Sequence, residues 1–108
     1  MKLGVTAWNL SDMSAASLSE QAKLAESLGY DSFWLPENHF SKLAIPDPLM
    51  MLASVAAKTS KIKLATTSYL LPLRHPLLAA EQVAVLDQLS RGRVILGIGR
   101  GYMPSMFK

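Results

Sequence analysis

The 108-residue chain contains no cysteine. A disulfide framework, a thiolate metal site and a thiol nucleophile are therefore excluded, and the compartment is left open with the cytosol as the default. No apolar run approaches the ~18 residues of a membrane span, and the N-terminus lacks the basic-then-apolar layout of a signal peptide. A soluble, cytoplasmic protein with no membrane partner is expected. Charge of one sign is also scarce: 11 basic residues face 8 acidic ones, and aromatic residues make up 7%. The basic residues are scattered along the chain, without the dense, aromatic-interleaved patch that tracks phosphates, so no nucleic-acid partner is expected. An apolar fraction of 50% with a net charge of only +3 excludes disorder.

What the sequence does have is a recurrence. Short apolar, β-branched or aromatic runs at Leu3–Trp8, Ser32–Pro36, Ile62–Tyr69 and Val94–Ile98 start roughly thirty residues apart, the length of a strand–helix unit. Between the first two, Leu18, Gln21, Ala22, Ala25 and Leu28 share one helical face, and Gly29 follows as a residue able to take positive φ. Asp47-Pro48 predicts an N-cap and first residue for the second helix, with Leu49, Leu52, Ala53 and Ala56 inward. Pro76 opens the third, with Leu77, Ala80, Val83 and Ala84 inward and Arg91-Gly92 as its stop.

Near-continuous apolar strands in β-α-β order imply parallel pairing with right-handed crossovers. An open doubly wound sheet and part of an eight-fold barrel both accept this order. No phosphate-binding loop follows the first strand, so the barrel is favoured. A (β/α)8 TIM barrel needs ~250 residues, and residues 1–108 are expected to form its N-terminal half, about four βα units without the fourth helix.

In such sheets functional groups gather in the loops after the strands. That rule selects Asn9–Met13, Glu37–Ile45, Ser68–His75 and Gly99–Lys108. Trp8 can wall a planar ligand or simply pack between strand and helix. Glu37 and His39, two apart, share a face of an extended strand end and can do proton work, bind a polar ligand, or serve structure alone. They do not complete a metal site, and no metal is expected. Thr66, Thr67 and Ser68 offer hydroxyls to a ligand or to their own backbone. In Gly97-Ile98-Gly99-Arg100-Gly101 the glycines permit close backbone approach, and Arg100 suits either a phosphate or a surface ion pair. The run is not a dinucleotide fingerprint, because Tyr102 stands where the last glycine is required.

Taken in order, Glu37-Asn38-His39-Phe40, Thr67-Ser68-Tyr69-Leu70-Leu71-Pro72 with His75-Pro76, Leu86-Asp87-Gln88-Leu89-Ser90-Arg91-Gly92-Arg93, and Gly97-Ile98-Gly99-Arg100-Gly101 resemble the N-terminal portion of the bacterial luciferase-like flavin monooxygenase family. The resemblance covers essentially the whole chain. It implies a (β/α)8 barrel holding FMN, or the deazaflavin F420 in some branches, at its C-terminal mouth. It further implies oxidation or reduction of a small organic substrate by the flavin. By the same resemblance the peptide Thr67–Ser68 is cis under the flavin ring, Arg100 reaches the flavin phosphate, and Glu37 and His39 match the family's carboxylate and second histidine. With the strand-end reading, the expected cofactor contacts are Trp8, Thr67, Ser68 and Arg100, and the expected catalytic group is Glu37, Asn38 and His39. Asn38 stands where many members have a histidine, and an amide orients but does not titrate near pH 7. Gly99 occupies the place of a cysteine in some luciferases, so light emission is not expected. The chain alone is expected to bind flavin weakly or not at all and not to be catalytic. The alternative is a non-catalytic half-barrel module that self-associates through its open strand edges, and a homo-oligomer is expected. An open-sheet nucleotide-binding domain ranks below both.

Overall fold

The structure, a computed structural model, describes residues 1–9, 11–39 and 44–101. Strand β1 (Gly4–Thr6) is followed by α1 (Ala15–Ser27), β2 (Ser32–Leu35), α2 (Pro48–Lys58), β3 (Lys63–Leu70), a 3-10 turn (Leu71–Leu73), α3 (Pro76–Leu89) and β4 (Val94–Gly99). Local chemistry sets the helix ends. Ser14 caps α1 by accepting from the Ser17 N–H, and Asp47 caps α2 at 3.1 Å from the Met50 N–H with Pro48 next. Nδ1 of His75 accepts from the Leu77 N–H at 3.1 Å, so this histidine caps α3. Gly29 leaves α1 at φ 88°, a conformation that costs glycine nothing, and Arg91 with Gly92 turns the chain into β4 at φ 59° and 81°.

All four strands pair in parallel, in the order β1-β2-β3-β4. That order has no reversal, and α1 packs on α2 and α2 on α3 in a single helical layer. A doubly wound sheet would reverse its strand order and carry helices on both faces; this sheet advances in one direction, as a barrel does. The core lies between sheet and helices: Phe33, Leu35 and Leu64 meet Leu18, Ala22 and Ala25 of α1 and Leu52 and Val55 of α2. The opposite face carries the register row Thr6, Trp34, Ala65 and Ile95. There the Trp34 indole donates to Ser32 Oγ at 2.8 Å, and a Cβ on Gly4 would come within 2.6 Å of its nitrogen. Among the described residues no helix is long and apolar enough to cross a membrane.

Two expectations need correction. The strand bounds differ from the apolar runs by at most two residues, so Leu3, Ala7, Trp8, Pro36 and Ile62 lie outside the strands while Leu70 and Gly99 lie inside them. In α3 the buried residues are Ala79 and Leu86, whereas Leu77 is 62% exposed and Ala80 and Ala84 are exposed. The physical reason is that α3 meets its neighbour α2 on one side only. Its Ala80, Val83 and Ala84 side lines an open apolar groove of about 580 Å³ against Val94 and Leu96 of β4. Leu28, at the end of α1, is likewise exposed.

At the N-terminal end of the sheet the Glu26 carboxylate accepts from three successive backbone amides, Ser60 (3.0 Å), Lys61 (2.6 Å) and Ile62 (2.9 Å). Burial pushes its pKa up, but these amides and the Arg93 charge outweigh that and hold it below the ordinary value of 4.5. Because the folded-state value is depressed, Glu26 stabilises the fold above that ordinary value, and the contribution is lost as pH falls through the lowered one. We expect Glu26→Gln to lower stability at pH 7 by about 1 kcal/mol, the low side for bonds to a charged group because the site is open to solvent. Urea midpoints should show the gap to wild type closing as pH falls below the ordinary carboxylate value; a gap that stays constant contradicts this account.

Candidate active site

β2 ends at Leu35, and Pro36 and Glu37 carry the chain over the C-terminal edge of the sheet. The Glu37 side chain is fully buried, which for a carboxylate requires partners. It has them from three directions. Its Oε1 accepts from the Leu70 N–H at 2.9 Å, Nη1 of Arg74 lies 2.8 Å from both carboxylate oxygens, and Nε2 of His39 lies 2.6 Å from Oε2. An ionised carboxylate only accepts, so Nε2 carries the hydrogen in this pair. Arg74 also donates to the carbonyls of Leu70 (3.0 Å) and Pro46 (3.2 Å), and its guanidinium lies 4.2 Å above the Tyr69 ring. Tyr69 is buried, and burial raises its hydroxyl pKa; among the described residues no partner stands in hydrogen-bond geometry to that hydroxyl.

The end of β3 is irregular. Between Thr66 and Tyr69 the register with β4 shifts, three steps along β3 facing two from Leu96 to Ile98, and the Thr67–Ser68 peptide within the shift is cis, as the resemblance implies. Thr66 Oγ1 donates to the Gly97 carbonyl at 2.9 Å and accepts from the Gly97 N–H at 3.0 Å, fastening the two strands just below. Gly99 passes so close that a Cβ there would lie 2.7 Å from Ser68 Cβ.

These elements enclose a cavity of about 340 Å³ lined by Pro36, Glu37, Asn38, Thr67, Ser68, Leu70, Gly99, Arg100 and Gly101. The structure thus brings together Glu37, Asn38, Thr67, Ser68 and Arg100 of the expected site, and joins His39 to them through Glu37. Trp8 is not among the lining residues. It is 45% exposed, and its N–H and that of Asn9 are held by the buried Gln21 Oε1 at 2.7 and 3.1 Å. Phe40 and Tyr102, which belong to the sequence motifs, lie outside the described residues. Sequence reasoning gave no role to Arg74, Tyr69 or Gln21. A lone arginine in Leu-Pro-Leu-Arg-His-Pro carries no spacing signal toward a carboxylate 37 positions away.

Arg100 with the hydroxyl and amide groups of the lining suits a polar, anionic group. Hydroxyls, an amide and small residues surround an open mouth, and Arg100 at its rim is exposed, its side chain making no hydrogen bond among the described residues. A parallel, one-directional β/α sheet with a cavity at the C-terminal ends of its strands is a segment of barrel type. The chain belongs to the luciferase-like monooxygenase family, whose sequence profile matches residues 2–108. It is 38% identical over 101 residues to limonene 1,2-monooxygenase of Rhodococcus erythropolis, covering 89% of this chain and 26% of that protein. The oxygenating constituent of 3,6-diketocamphane monooxygenase from Pseudomonas putida, solved in complex with FMN, is 32% identical and superposes with a TM-score of 0.85 over 98% of this chain and 31% of its own. The coenzyme F420-dependent tetrahydromethanopterin reductase of Methanopyrus kandleri is 29% identical, with a TM-score of 0.74 over 94% and 27%. The chain spans about a quarter of the length of the curated relatives it matches.

Proposed function

We propose that the chain supplies the N-terminal strands of the flavin site in a luciferase-like oxidoreductase that oxidises a small organic substrate with reduced FMN, or uses F420 in its place. The cavity carries this reading, because it gathers residues from the ends of three strands around the cis peptide. Reduced flavin, when bound, supplies the electrons for oxygen activation or hydride transfer. The chain's own residues bind and orient. Thr67 and Ser68 present hydroxyls and main chain to the ring, and Arg100 pairs with the phosphate. Asn38 hydrogen-bonds the substrate without titrating, and His39, held at Nε2 by Glu37, serves proton transfer. Glu37 itself, with its oxygens occupied, is a holder of His39 and not a free base. The protein works in the cytoplasm, and this chain alone does not turn over substrate.

A second reading, self-association, draws on exposed apolar surface along β4, where Ile98 is 57% exposed beside the open groove. One experiment addresses both. FMN titrated into the labelled chain should shift amide resonances of Asn38, Thr67, Ser68 and Arg100, with a dissociation constant of roughly 0.1 mM or weaker. Arg100→Ala should weaken FMN about tenfold and leave riboflavin, which lacks the phosphate, unaffected. Shifts scattered elsewhere reject the site, and saturable low-micromolar binding rejects the view that this segment holds the cofactor only weakly. Light scattering on the same sample should give a mass above one chain; a monomer at roughly tens of micromolar removes the second reading.

A further inference from the structure

We infer that Arg74 is the positioning residue of the mouth, the group that fixes where Glu37 presents His39. The inference deepens the flavin-site reading and rests on it for its functional part.

β3 outruns β2. The last pair between them is Leu35 with Thr66, and beyond it β2 offers Leu70 no backbone partner. Two side chains take over. Glu37 accepts from the Leu70 N–H at 2.9 Å, and Arg74 donates to the Leu70 carbonyl at 3.0 Å. The same guanidinium reaches Glu37 on one leg of the β2–α2 connection and the Pro46 carbonyl on the other. Those legs are already joined at their base by the Asn38 N–H to Ile45 carbonyl bond at 3.0 Å. Arg74 therefore holds both legs against the end of β3, two residues past the cis peptide at Thr67–Ser68. Its guanidinium carbon lies over the face of the Tyr69 ring, a cation–π contact that helps hold it there. A planar fork can serve three acceptors in fixed directions, whereas an ammonium on a flexible stem cannot hold that geometry. Arg74 does not line the cavity at Ser68 and Arg100. It acts through Glu37.

Nuclear magnetic resonance on the whole 108-residue chain tests this without flavin. In Arg74→Met the Leu70 amide should exchange with solvent at least tenfold faster, and the His39 imidazole resonances should move. Protection of Ile62 and Val94 at the opposite end of the sheet should stay unchanged. Arg74→Lys should recover little of the Leu70 protection. The FMN-induced shifts at Thr67 and Ser68 should shrink in both variants, although neither changes a cavity-lining residue. Unaltered Leu70 exchange together with unaltered His39 resonances in Arg74→Met overturns the assignment. If Arg74→Met does not fold, Arg74→Lys decides by the same readouts, and in the wild type the Leu70 amide must show a scalar coupling across its bond to Glu37; absence of that coupling also overturns it. Should wild type show no FMN-induced shifts while Leu70 and His39 respond as stated, the flavin reading fails and the positioning role stands.

Discussion

Arg93→Met should destabilise the fold by about 3–5 kcal/mol, a large share of the ~5–15 kcal/mol typical of a small domain. Arg93 is buried, and its guanidinium makes five hydrogen bonds: to the carbonyls of Ser90 (2.6 Å), Ala56 (3.0 Å), Ile62 (3.1 Å) and Thr59 (3.2 Å), and to Thr59 Oγ1 (2.8 Å). Ala56 and Thr59 are the free carbonyl end of α2, where a cation also meets the negative end of the helix dipole. Ser90 closes α3, and Ile62 leads into β3. One side chain thus terminates two helices and starts a strand. Methionine fills much of the space but donates nothing, leaving several carbonyls buried at about 1–3 kcal/mol each, with the total held down by relaxation and water entry. Burial lowers the Arg93 pKa and the Glu26 carboxylate opposes it. Arg93→Lys should recover little. Urea unfolding measures the loss; a cost below about 1 kcal/mol would falsify this role. Arg100→Ala, on the exposed rim, should stay within about 0.5 kcal/mol and serves as the control.

Arg93 also shows where sequence reading stops. It stands in the chain as one of several scattered cations, and only the fold converges four carbonyls on it. Features set by neighbours in sequence were legible: the strand–helix alternation, the Asp47-Pro48 start of α2, the Gly29 turn and the Arg91-Gly92 turn. Each depends on backbone chemistry within a few residues. Strand ends were less legible, because pairing stops where a partner strand stops. The face of α3 was misread because an amphipathic pattern shows which side is apolar and not which neighbour covers it. At the site, the two-residue spacing of Glu37 and His39 correctly placed them side by side, yet their burial and the dependence of Glu37 on Arg74 required the third strand's loop. The cis peptide at Thr67–Ser68 came from the family resemblance alone.

Gly97→Ala should be as damaging as the loss of Arg93, for a steric reason instead of a polar one. An alanine Cβ at this position of β4 would fall on the Thr66 carbonyl oxygen, well inside van der Waals contact. The obstacle is backbone of an inner strand, paired on both sides with β2 and β4, so it cannot swing away as a side chain would. Strand β4 must move off, and in doing so it breaks the two bonds by which Thr66 Oγ1 grips the Gly97 peptide. Replacing glycine with alanine gains about 0.4–1 kcal/mol through the unfolded chain where the site tolerates a Cβ. Overpacking against an immovable neighbour costs about 1–3 kcal/mol, and two lost hydrogen bonds add about 1–3 more. The steric side wins, and a net loss of about 3 kcal/mol is expected in thermal or urea unfolding. Gly99→Ala separates this effect from damage to the site. There the nearest obstacle is the Ser68 Cβ at 2.7 Å, fixed to its own backbone and adjoining the cavity and the cis peptide. That variant leaves the two Thr66 bonds to Gly97 in place, so it should lose less stability, about 1–2 kcal/mol, but more of its FMN-induced shifts at Ser68. Equal stability losses in the two variants would mean that the Thr66 bonds add nothing beyond the steric overlap, and the fastening of β3 to β4 at Thr66 would then not be what holds the floor of the mouth in place.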